Sequence, residues 1–425
     1  MSELALLGGP RTIAEAFESY NSIGKEEVEA ARAVVETGVL SRYLGCWDPD
    51  FYGGEQVRAL EEGWAEYFRV PHAVAVNSNT SGLIASLGAI GLEPGDEVIV
   101  SPWTMSASAT SILVWNAIPV FADIEDETFN LDPTSIVRNI TPYTRAIMLP
   151  DIFGHAADLD VIMEIARQYR LRVIEDAAQA PAALYKGRYV GTVADIGVFS
   201  LNYHKHIHTG EGGMCVTHDP ILAERMQLIR NHAEAVVQDK GVTNLANMIG
   251  FNFRLTEIQA AIGREQLKKL ADLAAKRQAA ALRLTEGIRD LPGLRPPVVR
   301  PNCTHVYYVY PLIYDAAITG VPKEKVLAAL QAEGVEISGS YANVHLFPMY
   351  QQKIAYGSQG FPWTAAFYKG TVSYAKGICP VAEMLQDKKY MGIEICKYRY
   401  EDRDIDLLAA AFRKVWAHMS DLCNI

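Results

Sequence analysis

Arg172-Val173-Ile174-Glu175-Asp176-Ala177-Ala178-Gln179 reads as a short apolar strand that closes on carboxylates and then turns. Downstream, Ile196-Gly197-Val198-Phe199-Ser200-Leu201 repeats the pattern and ends in a hydroxyl. Working outward, similar runs stand at His72–Asn77, Glu97–Val100, Ile118–Ala122, Arg145–Leu149 and Met214–Thr217, with helical stretches such as Thr80–Ile90 and Asp158–Arg170 between several of them. Short apolar strands alternating with helices build a mostly parallel sheet covered on both faces, so the fold class is α/β. After Arg254 the apolar period becomes 3.6, predicting one long or slightly broken helix over Thr256–Leu291. Pro292, Pro296, Pro297 and Pro301 end it, because proline cannot continue a helix. The expected division is 1–291 for an amino-terminal segment plus a large α/β domain, and 292–425 for a smaller α+β domain. The second has a strand at His305–Tyr314 and helices at Pro322–Glu333 and Asp404–Leu422.

Of 425 residues, 49% are hydrophobic and 21% charged, which suits a folded protein with a sizeable core. A net charge of -11 with no basic cluster argues against a nucleic-acid partner. No run stays apolar long enough to cross a bilayer, and Met1–Phe17 lacks a basic segment followed by an apolar one, so no membrane association and a cytoplasmic location are expected. The six cysteines show no Cys-x-x-Cys pair and read as reduced thiols.

Chemistry gathers where strands finish, the ligand-binding edge of open α/β sheets. After Asn77, Ser78-Asn79-Thr80-Ser81-Gly82 offers hydroxyls and free backbone amides at a helix start, suited to a phosphate; taken alone the signal is weak, because Ser and Thr also cap helices. Asp176 is either a structural cap or a carboxylate facing a ligand. Phe199-Ser200 leads through Asn202-Tyr203-His204 to Lys205 and then Thr209-Gly210-Glu211-Gly212-Gly213. A lysine between a buried strand and a glycine-rich turn is expected to point inward. Together a phosphate cradle, a carboxylate and a lysine match the needs of pyridoxal phosphate: an amine for a Schiff base, an acid for the ring nitrogen and an anchor for the phosphate.

These segments, with Gly187-Arg188-Tyr189-Val190-Gly191-Thr192, Gly250-Phe251-Asn252-Phe253-Arg254 and Gln259-Ala260-Ala261, resemble the DegT/StrS-type sugar aminotransferases of the fold type I pyridoxal phosphate enzymes. The resemblance runs from Leu6 to about Glu383 and implies a large domain with a mostly parallel, seven-stranded sheet. It implies Lys205 as the Schiff-base lysine, Asp176 as the pyridinium partner and Gln179 beside the ring hydroxyl. It further implies Asn79, Thr80 and Ser200 at the phosphate, Trp103 stacked on the ring, and Asn252 reaching the phosphate from a second subunit of a homodimer with shared sites. His345 falls near a histidine that approaches the substrate. Two departures stand out: Asn79 replaces a common glycine, and Met391–Cys396 replaces a leucine-proline-rich segment.

The implied reaction moves an amino group from glutamate or glutamine to a keto sugar, nucleotide-linked or phosphorylated, or to a keto-cyclitol. Gly360-Phe361-Pro362-Trp363 tilts toward the members that use sugar phosphates or cyclitols. Members with histidine at the lysine position are dehydratases, and Lys205 argues against that branch. A dehydratase or lyase on the same cofactor and a non-catalytic sensor remain rivals; the sensor lacks any DNA-binding module. His204, His206 and His208 alternate as metal ligands can, yet no further ligand completes a set, so no metal is expected and a place at the substrate entrance is. Tyr43, Trp47 and Tyr52 read as packing or as a rim given to the partner's site.

Overall fold

In a computed structural model, which describes residues 3–423, seven strands form the first sheet. They are β1 (His72–Val76), β2 (Glu97–Val100), β3 (Ile118–Phe121), β4 (Thr144–Pro150), β5 (Arg172–Asp176), β6 (Ile196–Ser200) and β7 (Gly213–Thr217). Their order is β1-β7-β6-β5-β4-β2-β3. All neighbours are parallel except β7, which runs antiparallel to β1 and to β6. Strands β2, β6 and β7 are buried along their whole length, as strands of a sheet with both faces covered must be.

Local chemistry explains why the helices start where they do. Ser78 caps α3 (Asn79–Ala89), its Oγ accepting from the Ser81 N–H at 3.0 Å. Asp219 and Pro220 open α6 (Pro220–Arg230), which the strand-and-helix pattern did not disclose. Two earlier helices, α1 (Lys25–Thr37) and α2 (Glu55–Phe68), with α4 (Ser106–Val114) and α5 (Leu159–Tyr169), also belong to this part of the chain. One apolar core lies between the sheet and α3, α4 and α6; the other lies between the sheet and α2, α5 and the first half of α7 (Glu257–Ile288). The long helix is continuous and opens on a reciprocal Thr256–Gln259 capping pair.

A second, antiparallel sheet follows: β8 (Leu294–Arg295), β9 (Tyr310–Tyr314), β10 (Ile337–Ser338) and β11 (Tyr390–Ile393), in the order β8-β9-β11-β10. Its core takes in α8 (Lys323–Ala332), α9 (Asp402–Ala417), the end of α7, and also Leu4 and Ile13. The buried Glu333 carboxylate draws the amino-terminal residues there by accepting from the Ala5 and Thr12 N–H groups. Ladder pairing begins only at Tyr310, not His305, because Val306 and Tyr308 spend their N–H groups on the carbonyls of Gly154 and Phe153. The terminal helix breaks at His418 and resumes at Met419–Cys423. All six cysteines are free, and no helix of the described residues is long and apolar enough to cross a membrane.

The Gly187–Thr192 stretch forms a turn clamped against the sheet. A Cβ on Gly197 in β6 would lie 1.8 Å from the Gly191 carbonyl oxygen, whereas one on Gly187 would meet nothing within 4 Å. Gly197→Ala should therefore cost about 3 kcal/mol or more in urea unfolding. Gly187→Ala should cost only about 1 kcal/mol, for its left-handed backbone.

Candidate active site

The carboxyl ends of β4, β5 and β6, with the residues after β1 and β2, enclose a cavity of about 260 Å³. A larger one, about 540 Å³, lies between Arg11–Ala16 and the β10 edge and takes in none of the candidate site residues read from the sequence. Into the smaller cavity the structure brings Asn79, Thr80, Asp176, Gln179, Ser200 and Lys205. The start of β7 pins the cradle: a Cβ on Gly213 would fall 2.7 Å from the Ser78 backbone and 2.8 Å from the Asn79 nitrogen.

Asp176 ends β5 and is buried. Its Oδ2 accepts from Ser108 Oγ at 2.7 Å, and Ser108 in turn lies 2.7 Å from Thr104 Oγ1. Its Oδ1 accepts from Asn79 Nδ2 and the Ala178 N–H, each at 3.3 Å. Burial raises its carboxyl above the usual range, and the Ser108 hydroxyl, the Ala178 N–H and the Lys205 charge oppose that rise. Lys205, 8% exposed, follows the turn closed by its own N–H on Asn202 O. Burial lowers its ammonium to about 8, with Asp176 pulling the other way. Its Nζ lies 4.1 Å from the centroid of the Tyr308 ring. The Gln179 amide is fixed at both ends: Oε1 accepts from the Phe153 N–H at 2.7 Å, and Nε2 donates to Tyr341 Oη at 3.2 Å.

Three expected residues lie elsewhere. Trp103 is fully buried behind the cavity, its Nε1 donating to Asn343 Oδ1 at 2.8 Å and its ring parallel to Phe129 at 5.7 Å. The residue that lines the cavity on that side is Met105, 64% exposed. His345 is fully buried with Nε2 3.0 Å from Glu383 Oε1, a structural pair outside the cavity wall. Asn252 is exposed and does not line this chain's own cavity; its carbonyl accepts from Asn77 Nδ2 and its Oδ1 from Arg254 Nε.

Of the alternating histidines, only His204 lines the cavity. His206 is buried with Nε2 2.8 Å from Val306 O, and the described residues form no metal-ligand cluster. Tyr43 is buried against Arg230, while Trp47 and Tyr52 flank Lys240, so within this chain all three serve as packing. Trp363 donates to Tyr374, which bonds Pro119 O at the outer side of β3, away from the cavity. Tyr308 and Tyr341 were missed. Both come from the carboxyl-terminal part of the chain, and the residue order carries no signal that they fold back over the lysine.

Residues 22–379 match the DegT/DnrJ/EryC1/StrS aminotransferase family. The chain belongs to that family. Its members are pyridoxal-phosphate-dependent enzymes, and this aminotransferase shares their fold type I architecture. It is 36% identical to a GDP-perosamine synthase of Caulobacter vibrioides over 310 residues, 72% of this chain and 82% of that protein. It is 33% identical to an L-glutamine:2-deoxy-scyllo-inosose aminotransferase of Streptomyces kanamyceticus over 402 residues, 90% and 92% of the two chains. A crystal structure of DesI in the presence of its TDP-sugar product superposes with a TM-score of 0.80 at 25% identity, covering 99% of this chain and 98% of that one.

Buried histidines that do not line the cavity carry a pH liability. Burial is the main cause that holds His155 at about 3 and His206 and His305 well below the usual range. A histidine kept neutral in the folded state gains protons on unfolding once the pH drops below about 6.5. Stability is therefore full above that value and declines below it, by up to about 1.4 kcal/mol per pH unit for each histidine. Urea midpoints measured at pH 7.5, 6.5 and 5.5 should fall steeply over the last interval; a flat series would show that these imidazoles are not buried neutral.

Proposed function

We propose that this chain binds pyridoxal phosphate at the Lys205 cavity and moves an amino group from glutamate or glutamine to a keto sugar or keto-cyclitol. The observation that carries the reading is the buried Lys205–Asp176 pair facing one cavity beside a helix amino terminus. The residues present fit the cofactor. Asn79 and Thr80 at the start of α3, with Ser200, suit the phosphate through helix-start amides and hydroxyls. Asp176 suits the ring nitrogen, and the doubly anchored Gln179 suits the ring hydroxyl. When bound, pyridoxal phosphate supplies an electron sink for the substrate carbon.

The chain's own residues do the rest. With an ammonium near 8, Lys205 has a sizeable neutral fraction near neutral pH and can take a proton from the substrate carbon and return it. The Tyr308 face steadies the same amine whenever it is charged. Ser108 and Asn79 orient Asp176, so that its charge is aimed rather than free to rotate. Tyr341, hydrogen-bonded to Gln179, closes the cavity from the second sheet's side and limits water.

The GDP-perosamine and scyllo-inosose names of the relatives support a sugar or cyclitol acceptor and leave the choice to experiment. Assay of keto-acid release from labelled glutamate and glutamine against both acceptor classes tests the reading. Product formed without an amino donor would instead favour the dehydratase or lyase alternative. Borohydride reduction followed by peptide mapping should place the pyridoxyl group on Lys205, and a label on another lysine would refute the assignment. Asp176→Asn should bind cofactor yet lose most of its turnover, because an amide cannot stabilise a protonated ring nitrogen to the same degree.

We further propose a homodimer in the cytoplasm with composite sites, each completed by Asn252 of the other subunit. Its support is the exposure of Asn252 outside its own cavity, beside exposed Ile249 and Leu245, with Val35, Leu40 and Leu44 also exposed on the amino-terminal segment. Lys205→Ala and Asn252→Asp, each inactive alone, should regain activity when mixed, since one heterodimer site keeps both native residues. An aspartate is chosen because its charge repels a phosphate. Demonstrated subunit exchange without recovery would place Asn252 in its own chain's function.

A further inference from the structure

Asp151 follows β4 directly, beside the end of β5: Pro150 pairs with Asp176, and the Asp151 N–H donates to Asp176 O at 3.1 Å. The side chain is fully buried and the residue lines the cavity. Its Oδ1 accepts from the Ala157 N–H at 3.2 Å, while its Oδ2 meets no N–H or O–H donor. An anionic oxygen in that position, buried and unpaired beside other carboxylates, would cost several kcal/mol.

The neighbour within hydrogen-bonding reach is Glu175, also fully buried. Glu175 already accepts three backbone donors, Gly191 N–H at 2.6 Å, Ala194 N–H at 3.1 Å and Val193 N–H at 3.3 Å. Three donors on one carboxylate favour its charged form. Of the two acids, Asp151 is therefore the one left to carry a proton, and its free oxygen has a place to donate it. Three adjacent carboxylates would otherwise compete, and the weakest anion would be Asp176 or Asp151 depending on small differences in environment.

We propose that Asp151 is a positioning residue of this site: it stays a neutral acid, donates its proton to Glu175, and so leaves Asp176 as the buried anion of the cavity. The role in catalysis rests on the transaminase reading above; the protonation state does not. The titratable groups facing Asp151 are Glu175 and Asp176 from β5, with Lys205 acting on Asp176 from the loop after β6. Burial, then those two carboxylates, keeps the Asp151 carboxyl well above the usual range.

The test compares full-length wild type with Asp151→Asn and Asp151→Ala. Without cofactor, the infrared difference between wild type and Asp151→Asn at pH 7 should show a protonated-carboxyl band that the variant lacks. An acid held protonated in the folded state costs stability as pH rises above its unfolded value near 3.9. Asp151→Asn should thus melt above wild type at pH 8, with the margin shrinking toward pH 4. For pyridoxal phosphate itself, titrated by absorbance, Asp151→Asn should bind as wild type does. Asp151→Ala, which leaves Glu175 without its donor and pushes Asp176 toward its own proton, should bind about tenfold more weakly.

No protonated-carboxyl band, or a melting difference that does not change with pH, would overturn the proposal. So would Asp151→Asn binding as poorly as Asp151→Ala, which would mean the residue works as an anion, or Asp151→Ala binding as wild type does. Should Asp151→Ala not fold, the wild-type and Asp151→Asn comparison decides alone. If wild type binds no pyridoxal phosphate, the transaminase reading fails while the infrared and melting results still judge the proton.

Discussion

Desolvation of Lys205 against Asp176 is the interaction on which the remaining site geometry depends. In water an amine and a carboxyl near neutral pH are both charged and of little chemical use. Enclosed together, the amine is lowered to about 8 and the carboxyl is raised. That balance needs walls that exclude water without adding competing charge. Tyr308, Tyr341 and Met105 supply them on the open side. The hydroxyl pair Thr104–Ser108 and the amide of Asn79 hold the acid from behind.

The two sheets divide this work. The first contributes the carboxylates, the amine and the serine and threonine hydroxyls, because strand ends of a parallel sheet present loops and helix starts at one edge. The second contributes phenols. Val306 and Tyr308 leave the β9 ladder to bond Gly154 and Phe153, and this departure from regular pairing carries the Tyr308 ring to the lysine. A strand that paired along its whole length would have kept that ring in the antiparallel sheet.

Strands β1 to β7 and the long helix α7 were legible because their apolar runs and period are local properties. That Asp176, Gln179 and Lys205 would share one sheet edge was legible because each closes or follows such a run; the roles given to them are the proposal above. Trp103 was misplaced because a tryptophan two or three residues past a strand end faces either the ligand or the core. Here the Asn343 side chain, 240 residues away, takes the indole N–H and holds the ring inward. His345 was misplaced for a like reason, its partner Glu383 arriving from a distant turn. Tyr308 and Tyr341 depend wholly on tertiary closure, and helix α6 was hidden by its own charged residues, Arg225 among them being buried against backbone carbonyls. The shared-site reading of Asn252 has no local signature either, since a single chain shows only that the residue faces outward.

Because β7 runs antiparallel to β6, the chain that leaves Lys205 does not pass through a crossover helix. It turns at once and re-enters the sheet at Gly213, tight against Ser78 and Asn79. The connection thus works as a ruler between the amine and the cradle. In most α/β proteins a loop after a strand can lengthen freely, because a helix absorbs the slack. Here both ends of the loop are nailed to adjacent strands, and one added or deleted residue between 205 and 213 would shift the amine by the width of a peptide unit relative to any ligand held at the helix start. The loop's length, more than its composition, sets the spacing between amine and cradle.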